Sequence, residues 1–545
     1  MESERSGLLA SSSAEEDAGE CDMLMASSDT ESNGLAISSA ARSNSNSELS
    51  GFLREDEEDD CMQSSPAVLL AARSSSNSQL SGFLMDDEEN DHVESIPDVP
   101  QAARLPEAFR WAIHVLQVLP CLIGEKLVRE SIATETLNFS THCSGIGAPE
   151  VAAMFLTCAS RVTGPFPLQL VSSAMCDNLV QAKNILCKRC GYTAGKRGAD
   201  SDPHVFGDIF EYAPHWERDV SNPETAMSAL GGAMDALRPR HCSRHEQNCI
   251  MPDISGDISG TPCPPWSRRG KRRQLRDPRA AVTFVWMAFV LSMDLLWAIH
   301  ENVHGFRTDL IDTHMQHAYW IWHLSLHPRD VGFQCMGRPR LYTLLISRRL
   351  RILRTPTEML EKLRPLLQAR LPQLRVEDIM TASDAEVVAF ENELRRRKGL
   401  EPILQSSACW EYLLSPSQSK FLRGYEKLWI KKYNANSRDD PCCIFDLSQN
   451  PFKCPSMTSK TGAAPCVTAT FCALWHASLQ RFVLPIELAI GHGFPCLQKL
   501  ARSACVPQDE CTMLYTVPLI GNSMNVACAG LALALTVMCA ARPQR

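Results

Sequence analysis

Residues 137–149 read LNFSTHCSGIGAP, and this stretch decides the fold class. It predicts a strand, then a glycine loop, then the start of a helix. Glycine has no side chain to obstruct a ligand, so such a loop lets the backbone approach one closely. A plain tight turn explains the loop equally well, and the segments around it must separate the two interpretations.

Strand and helix patterns alternate along the chain beyond this stretch. The predicted elements are a buried strand at Leu168–Asp177, a short strand at Val205–Phe210, the segment Asp253–Gly260, a helix then a strand over Val282–Val303, and a strand at Arg340–Ser347. This alternation predicts a doubly wound α/β sheet. In such sheets ligands bind outside the carboxyl ends of the strands.

Acidic residues end two of these predicted strands. Asp177 ends the second strand, where a carboxylate typically accepts hydrogen bonds from ribose hydroxyls. Asp208 ends the third, where it could meet an adenine amino group. The glycine loop lacks the third-glycine spacing of a dinucleotide site, so a nucleoside cofactor without a pyrophosphate fits better.

A Pro-Cys pair at Pro262-Cys263 follows the predicted strand that ends near Gly260. With 23 cysteines in the chain, most are expected to be small buried hydrophobes. The run SRRGKRR at 267–273 changes that expectation for Cys263, because nearby cations lower a thiol pKa and contact phosphates. A nuclear localisation signal or a solvated loop is the competing interpretation of the run.

An acid and two arginines complete the set of chemical groups. Glu301 ends a predicted strand and could donate a proton to a ring nitrogen beside a thiol nucleophile, although a structural carboxylate is the usual case. Arg338 and Arg340 precede the next strand and could fix that glutamate and a substrate carbonyl. Surface charge is the alternative for both arginines.

Taken in order, these segments resemble those of the cytosine-C5 DNA methyltransferases. The resemblance covers roughly residues 135–350 and 464–540. The matching segments are Cys143–Glu150, Pro262-Cys263, Glu301-Asn302-Val303, Arg338-Pro339-Arg340, Arg481 with Glu487 and Gly493-Phe494-Pro495, and Gly521-Asn522-Ser523. The chain departs from the family at Cys143, at Met336 and at Pro264-Pro265-Trp266.

The resemblance implies a fold, a reaction and a cofactor. The fold would be a Rossmann-like S-adenosylmethionine-dependent methyltransferase sheet with a smaller inserted target-recognition domain. Cys263 would attack C6 of a flipped-out cytosine, Glu301 would donate to N3, and Arg340, with Arg338, would contact the base carbonyl and the glutamate. The residues implied to bind S-adenosylmethionine are Cys143, Ser144, Gly145, Ile146, Gly147, Asp177, Asp208, Ile209, Pro262, Asn522 and Ser523. Those expected to bind DNA are Ser267, Arg268, Arg269, Lys271, Arg272 and Arg273.

The first 100 residues differ in composition from the rest. They hold 23 acidic residues against four arginines and no lysine, whereas residues 101–545 hold 50 basic and 40 acidic residues. Such a segment cannot bury enough apolar surface to fold, so 1–100 is predicted to be a disordered tail. It carries a 31-residue tandem repeat, seen in ARSNSNSELSGFL at 41–53 and ARSSSNSQLSGFL at 72–84. The repeat is either a duplicated disordered segment or a pair of docking motifs for a protein partner.

The predicted domains follow from these boundaries. Residues 105–350 form the first part of the catalytic domain, 351–480 the target-recognition region, and 481–545 the closing part of the catalytic domain. The apolar stretches Ala280–Ile299 and Val526–Ala541 are expected to be buried elements, not membrane spans.

Cysteine usage and the N-terminus bear on compartment and metals. No secretory signal is evident, and irregularly spaced cysteines indicate free thiols inside the cell. The basic run and the implied substrate suggest the nucleus. A zinc site from Cys187, Cys190, His245 and Cys249 is a minor alternative, but only Cys187-x-x-Cys190 has zinc-ligand spacing, so no metal is predicted.

Two rival functions remain open. One is an RNA cytosine methyltransferase of the same architecture. The other is a non-catalytic nucleic-acid-binding relative with a regulatory tail. The presence of Cys263, Glu301 and Arg340 counts against the second rival.

Overall fold

A computed structural model describes residues 100–163, 166–193, 202–267, 272–458, 462–468 and 473–543. Residues 1–99 of the predicted acidic tail, with the tandem repeat, lie outside the described residues. So do Arg268, Arg269 and Lys271 of the basic run.

Helices and strands alternate through the first half of the described chain, and helices predominate in the second. The helices are α1 Gln101–Ala108, α2 Trp111–Ile123, α3 Glu125–Glu130, α4 Ala148–Thr163, α5 Val180–Thr193, α6 Pro223–Ala233, α7 Ala281–Ser292, α8 Thr308–Met315, α9 Pro356–Gln368, α10 Val376–Ile379, α11 Asp384–Arg397, α12 Pro416–Tyr433, α13 Pro485–Gly491, α14 Gln498–Ser503, α15 Val517–Asn522 and α16 Val526–Met538. The strands are β1 Thr136–His142, β2 Gln169–Cys176, β3 His204–Phe206, β4 Arg240–Cys242, β5 Gln247–Cys249, β6 Gly256–Ser259, β7 Trp297–Asn302, β8 Tyr319–Leu326, β9 Arg340–Ser347, β10 Arg351–Ile352, β11 Ile444–Asp446, β12 Leu474–His476, β13 Arg481–Phe482 and β14 Ala540–Ala541.

Seven of these strands form one sheet, in the order β3-β2-β1-β6-β7-β9-β8. The first five are parallel to their neighbours, whereas β9 runs antiparallel to both β7 and β8. The strand order reverses beside β1, and in such sheets ligands bind at the carboxyl ends near this switch point. The predicted α/β methyltransferase-like sheet is confirmed, with an antiparallel pair at one edge.

The sheet is covered by apolar layers on both faces. In β7, Trp297 and Ile299 belong to the core that contains α2, α4 and α16, while Ala298 between them belongs to the core under α7. Successive strand residues point to opposite faces, so this alternation shows a sheet buried on both sides. Helices therefore cover both faces of the sheet.

The predicted third strand is shorter than expected. Strand β3 ends at Phe206, and Ile209–Tyr212 forms a 3-10 helix instead of continuing the strand over Val205–Phe210. Asp208 caps that helix by accepting a hydrogen bond from the backbone N–H of Phe210 at 3.0 Å. A capping acid competes with strand geometry, which is the physical reason for the early end.

A smaller core lies within the predicted target-recognition region. Its members include Trp410, Tyr425 and Trp429 from and around α12, packed against Phe445 of β11 and Trp475 of β12. Helix α9 lies within the predicted region 351–480 in the sequence. Its apolar face, however, packs against α2 in the large core and not in the smaller one. The recognition role of 351–480 stays a prediction.

Both apolar stretches form interior helices. Helix α7 is buried through most of its length, and every residue of α16 is buried. Among the described residues, Val517–Met538 is long and apolar enough to span a membrane, yet 94% of its most apolar window is enclosed by protein. The expectation that these stretches are buried is therefore confirmed. Strand β14, after α16, pairs with β10 and returns the chain to the large core.

Candidate active site

The candidate site lies where the carboxyl ends of β1, β2, β6 and β7 meet. Because β9 is antiparallel to β7, its first residue lies at the same edge as the last residues of β7, with Asn302 opposite Leu341. Arg340 therefore begins β9 beside Glu301. The topology brings together residues that are nearly 200 positions apart in the chain.

The glycine loop after β1 is a tight turn with several left-handed residues. Cys143, Gly145 and Gly147 have positive φ angles of 52°, 56° and 81°. The N–H of Gly147 donates to the carbonyl of Ser144 at 2.9 Å, which closes the loop as α4 begins. A left-handed φ costs energy at a residue with a side chain, such as Cys143. The surrounding structure must therefore hold Cys143 in this conformation.

Asp177 ties this loop to the end of β2. Its Oδ2 accepts from the N–H of Gly145 at 2.8 Å, and its Oδ1 accepts from the N–H of Leu179 at 2.9 Å. Burial raises the pKa of Asp177, and these two hydrogen bonds oppose the rise. A carboxylate has about four acceptor positions, so each oxygen of Asp177 has one position left to accept a hydrogen bond from a ligand hydroxyl.

Asp208 lies near the same loop. Burial first, and then the charges of Asp177, Asp257 and Asp208, raise the pKa of the Cys143 thiol. The loop and both predicted cofactor acids are thus within electrostatic reach of one thiol. Ile146 and Ile209 are both buried, Ile146 in the large core and Ile209 in the core under α7.

The closing segment lies against the loop. A Cβ built on Gly145 would be 3.7 Å from the backbone oxygen of Asn522 and 4.0 Å from the Cα of Ser523. Both predicted contacts from the end of the chain therefore reach the cofactor loop. Asn522 is exposed and Ser523 is buried.

Gly260 is the point of closest approach between these elements. A Cβ there would be 2.8 Å from Cε of Met524, 3.3 Å from Oε2 of Glu301 and 3.9 Å from the carbonyl oxygen of Cys143. Only a residue without a side chain leaves these three groups in place. The strand that leads to Cys263 is therefore in contact with both the loop and the acid.

Cys263 lies in a turn that directly follows β6. Its carbonyl accepts from the N–H groups of Trp266 and Ser267, both at 3.0 Å. Pro262 and Cys263 are each partly exposed as residues. The side chain of Trp266 is buried against Phe306, which anchors the turn.

The environment of the thiol differs from the sequence-based expectation. Burial raises the pKa of Cys263 above its usual range, although Arg340 and Arg338 lower it, and the neighbouring Glu301 raises it further. The basic run at 267–273 was expected to lower this pKa, and that prediction is wrong for the protein without substrate. The desolvation of a largely enclosed thiol outweighs the cations around it.

A polar network that the sequence analysis did not assign holds the start of the turn. The Oγ1 of Thr261 hydrogen-bonds with Nε2 of His300 at 2.7 Å and with Oγ1 of Thr283 at 3.0 Å. Asn302 donates to the carbonyl of Thr261 at 3.1 Å. Burial lowers the pKa of His300 to about 3, so the ring is neutral. Asn302 lies inside one of the matching segments and Thr261 directly precedes another, and these positions were the available signal.

Glu301 and Arg340 form the central ion pair of the site. Nε of Arg340 lies 3.1 Å from Oε1 of Glu301, and both side chains are about nine-tenths buried. Arg338 is also buried and donates to the carbonyl of Val467 at 3.2 Å. The Cys466 thiol lies 3.7 Å from Nη2 of Arg340 and 3.8 Å from Nη1 of Arg338. Nothing local in the sequence indicated Cys466.

A second buried network supports β1 and β6 beneath the site. Asp257 accepts from Ser140 and from Nδ1 of His142, each at 2.6 Å, and from Nε1 of Trp286 at 2.7 Å. Nε2 of His142 is 2.9 Å from the hydroxyl of Tyr212. These contacts join the sheet to α7 and to the 3-10 helix after Asp208, and they were missed by the sequence analysis.

The described part of the basic run is solvent-facing. Arg272 and Arg273 are exposed, and Ser267 is half-buried. The N–H of Gln274 donates to the carbonyl of Pro265 at 3.1 Å, which returns the chain to the turn that carries Cys263. The two described arginines therefore emerge beside the thiol.

The late arginine and glutamate of the family pattern form a structural pair. Nη1 and Nη2 of Arg481 bind the two carboxylate oxygens of Glu487 at 2.9 and 2.6 Å, and both side chains are buried. Glu487 also accepts from the N–H of Leu484 at 2.8 Å. This pair joins β13 to α13 near the smaller core.

No protein-family model and no curated protein matches the chain. Among solved structures, a prophage-encoded E. coli protein provisionally assigned as a DNA modification methyltransferase is 15% identical, covering 73% of this chain and 98% of its own, with a TM-score of 0.38. The S. pombe Dnmt2 methyltransferase is 13% identical, with 74% and 98% coverage and a TM-score of 0.36. The Entamoeba histolytica methyltransferase EhMeth is 14% identical, with 74% and 98% coverage and a TM-score of 0.35. All three are named as methyltransferases.

Proposed function

We propose that this protein transfers a methyl group from S-adenosylmethionine to C5 of cytosine in DNA. The observation that carries the proposal is the convergence of Cys263, Glu301 and Arg340 at one sheet edge, within reach of the glycine loop. A thiol, an acid and a planar cation are the groups that nucleophilic attack on a cytosine ring requires.

The cofactor side of the site fits S-adenosylmethionine by its donor and acceptor chemistry. The ligand's ribose hydroxyls and adenine amino group are donors, and Asp177 and Asp208 offer carboxylate acceptors near one loop. Gly145 carries no side chain that would obstruct a ligand at the loop, and its nearest neighbours are the backbone atoms of Asn522 and Ser523. Pro262, Asn522 and Ser523 would complete the binding set. When bound, this cofactor supplies the electrophilic methyl group.

Cys263 acts as the nucleophile in the proposed mechanism. The thiol loses its proton to water, and the sulfur forms a bond to C6 of the cytosine. Glu301 donates a proton to N3 as the C5–C6 electron pair moves to C5, which then takes the methyl group. A base removes the C5 proton, the C5–C6 double bond re-forms, and the C6–S bond breaks to release Cys263. N3 then returns its proton to Glu301, which restores the acid for the next cycle.

The other residues position these groups. Arg340 orients Glu301 through the 3.1 Å contact and keeps donors available for the base carbonyl. Arg338 and Arg340 offset part of the burial cost of a thiolate at Cys263. Thr261, held by His300 and Asn302, fixes the start of the turn that carries the thiol.

A nucleic acid is the proposed substrate because the segment that follows Cys263 carries exposed cations, and DNA is proposed over RNA on the motif resemblance alone. Arg272 and Arg273 face solvent beside the thiol, where they can contact phosphates. The cytosine would have to leave the base stack to reach the enclosed thiol. We also propose that the protein is nuclear and that a protein partner binds the N-terminal repeat.

The experiment is methyl transfer from tritiated S-adenosylmethionine to matched DNA duplexes, RNA duplexes and folded RNA. The proposal predicts tritium in DNA with the full chain and none with Cys263→Ala, while Cys121→Ser, which alters an exposed thiol, stays active. Label in RNA alone would support the RNA rival. Equal labelling by Cys263→Ala and the full chain would overturn the thiol mechanism.

A further inference from the structure

Four metal-binding side chains meet beside the edge strand β3, away from the thiol site. The hairpin of β4 and β5 carries Cys242, His245 and Cys249, and β3 contributes His204. The ligand atoms of these four residues all lie within 4.8 Å of one another. Two thiols and two imidazoles in this arrangement form the donor set that zinc prefers.

The measured separations match the edges of a zinc tetrahedron. Nδ1 of His245 is 3.5 Å from Sγ of Cys242 and 3.5 Å from Sγ of Cys249. A tetrahedral ion with zinc–sulfur bonds of about 2.3 Å and zinc–nitrogen bonds of about 2.0 Å places sulfur and nitrogen about 3.5 Å apart. One ion could therefore bind these three atoms with little movement of the hairpin.

His204 supplies the fourth corner. Its ring meets that of His245 edge-on, with centroids 4.7 Å apart and an interplanar angle of 80°. Its Nδ1 is buried and makes no hydrogen bond with any described residue. A buried ring nitrogen without a partner is costly, and a metal ion would satisfy it.

The backbone around the cluster also suits a bound thiolate. The N–H of Val205 donates to Sγ of Cys242 at 3.3 Å, and the N–H of Ser243 donates to the carbonyl of Val205 at 2.7 Å. Backbone donors to a ligating sulfur are typical of metal sites, because they fix the ligand and offset its charge. The same two bonds hold the hairpin to β3.

A disulfide is not the arrangement seen here. Residues 240 and 249 pair across the hairpin, as do 242 and 247, so Cys242 and Cys249 are diagonal neighbours on one face. Both cysteines are free thiols. A two-stranded hairpin of three-residue strands is marginal by itself, so a cross-link of some kind would stabilise it.

We propose that His204, Cys242, His245 and Cys249 form a structural, four-coordinate zinc site. Four protein ligands close the coordination sphere and leave no position for a substrate. The ion would fix the β4–β5 hairpin to β3 at His204, three residues before Gly207, which leads to Asp208. This site is independent of the proposed methyl transfer.

The ligand set differs from the minor alternative drawn from sequence. Cys190 packs in a small apolar cluster with Met175, Leu186 and Val205, and its Sγ contacts the carbonyl of Pro203 at 3.7 Å. In the ligand set proposed from the structure, Cys242 and His204 take the places that Cys187 and Cys190 had in the sequence-based alternative. Cys187, a half-buried thiol in the same region, offers a matched control.

The test measures metal content and coordination in the full chain, purified without chelators and without a histidine tag. We expect one zinc ion per chain by inductively coupled plasma mass spectrometry. X-ray absorption should show two sulfur ligands at about 2.3 Å and two nitrogen ligands at about 2.0 Å. Cys249→Ser should lose most of the zinc, whereas Cys187→Ser should retain it.

Several results would overturn the site. These are a metal-free wild-type chain after growth with added zinc, an oxygen-only coordination shell, iron or copper in place of zinc, or loss of zinc in Cys187→Ser but not in Cys249→Ser. If Cys249→Ser does not fold, Co²⁺ is added to the chelator-treated wild-type chain. Thiolate-to-cobalt charge-transfer bands and tetrahedral d–d bands would support the site, and their absence would overturn it.

Discussion

The side chain of Arg340 reaches across from the start of β9 and brings its Nε to 3.1 Å from Oε1 of Glu301, the acid at the end of β7. The contact depends on β9 running antiparallel to β7, which places the two residues at one edge of the sheet. Both groups are largely buried, so their interaction is weakly screened by solvent.

Arg340→Lys should lower kcat by about 100-fold, because lysine keeps the charge but loses the planar donor fork that orients Glu301 and the base. The measurement is single-turnover methyl transfer to duplex DNA. Arg349→Lys is the matched control, since Arg349 pairs with Asp294 at the surface, 2.8 Å away. Similar rates for Arg340→Lys and the control would contradict a positioning role.

Gly260→Ala should reduce the methylation rate while changing stability little. The added Cβ would meet Cε of Met524 at 2.8 Å, and this flexible end can move, but it would also lie 3.3 Å from Oε2 of Glu301. The acid would have to shift by a few tenths of an ångström, and small misplacements of reacting groups cost about 10- to 100-fold in rate.

The double variant Gly260→Ala/Met524→Ala separates the two contacts. It should relieve the methionine clash without restoring the rate. Gly231→Ala is the control, because a Cβ there meets nothing within 4 Å in α6. Full activity in Gly260→Ala would show that Glu301 tolerates the displacement.

Much of the architecture follows from sequence patterns. Apolar runs that lead to an acid or a glycine loop predicted β1, β2 and β7, and the apolar run at 341–346 predicted β9, because a strand buried on both faces has a continuous apolar signature. The end of β3 was missed because the cap formed by Asp208 depends on the 3-10 helix that follows it.

The candidate site was predicted in part. The positions of Cys263, Glu301 and Arg340 follow from ordered motifs, but burial does not, so the direction of the Cys263 pKa shift was wrong. The contacts of Cys466 with both arginines join residues more than 120 positions apart, and no local pattern marks such pairs. In the cluster around His204, the sequence named His245 and Cys249 but missed His204 and Cys242 for the same reason.

Asp177→Asn should weaken binding of S-adenosylhomocysteine by about 10- to 100-fold, since a hydrogen bond to a charged acceptor contributes about 1.5–3 kcal/mol. The amide would also turn an N–H toward the backbone N–H of either Gly145 or Leu179. Isothermal titration calorimetry measures the affinity. Asp219→Asn, an exposed loop acid, is the control. Unchanged affinity in Asp177→Asn would remove this residue from the cofactor site.

Stability should fall as the pH drops below about 6.5. Burial lowers the pKa of His300 and His492 to about 3 and that of His476 to about 4, from 6.5. Between these values the unfolded chain binds protons that the folded chain does not, so acid favours unfolding. Each histidine should cost about 1 kcal/mol between about pH 6.5 and 5.5.

One buried acid opposes this loss. Burial raises the pKa of Glu150 to about 7 from 4.5, so its protonated folded form gains stability as the pH falls through the same window. The net loss should be about 2 kcal/mol, measured by urea unfolding at the two pH values. His215→Gln alters an exposed ring, so the dependence of the free energy of unfolding on pH should be the same as in the wild-type chain. A free energy of unfolding that does not change with pH in the wild-type chain would contradict the neutral buried histidines.

The most direct test of the central claim is covalent trapping on 5-fluorocytosine. The full chain is incubated with S-adenosylmethionine and duplex DNA that carries 5-fluorocytosine, beside matched RNA. Fluorine cannot leave C5 as a proton does, so the bond between Cys263 and C6 should persist and survive denaturing electrophoresis. The account predicts a DNA adduct that maps to Cys263 by mass spectrometry and is absent in Cys263→Ala. An adduct with RNA alone, or no adduct on DNA across a library of target sequences, would contradict it.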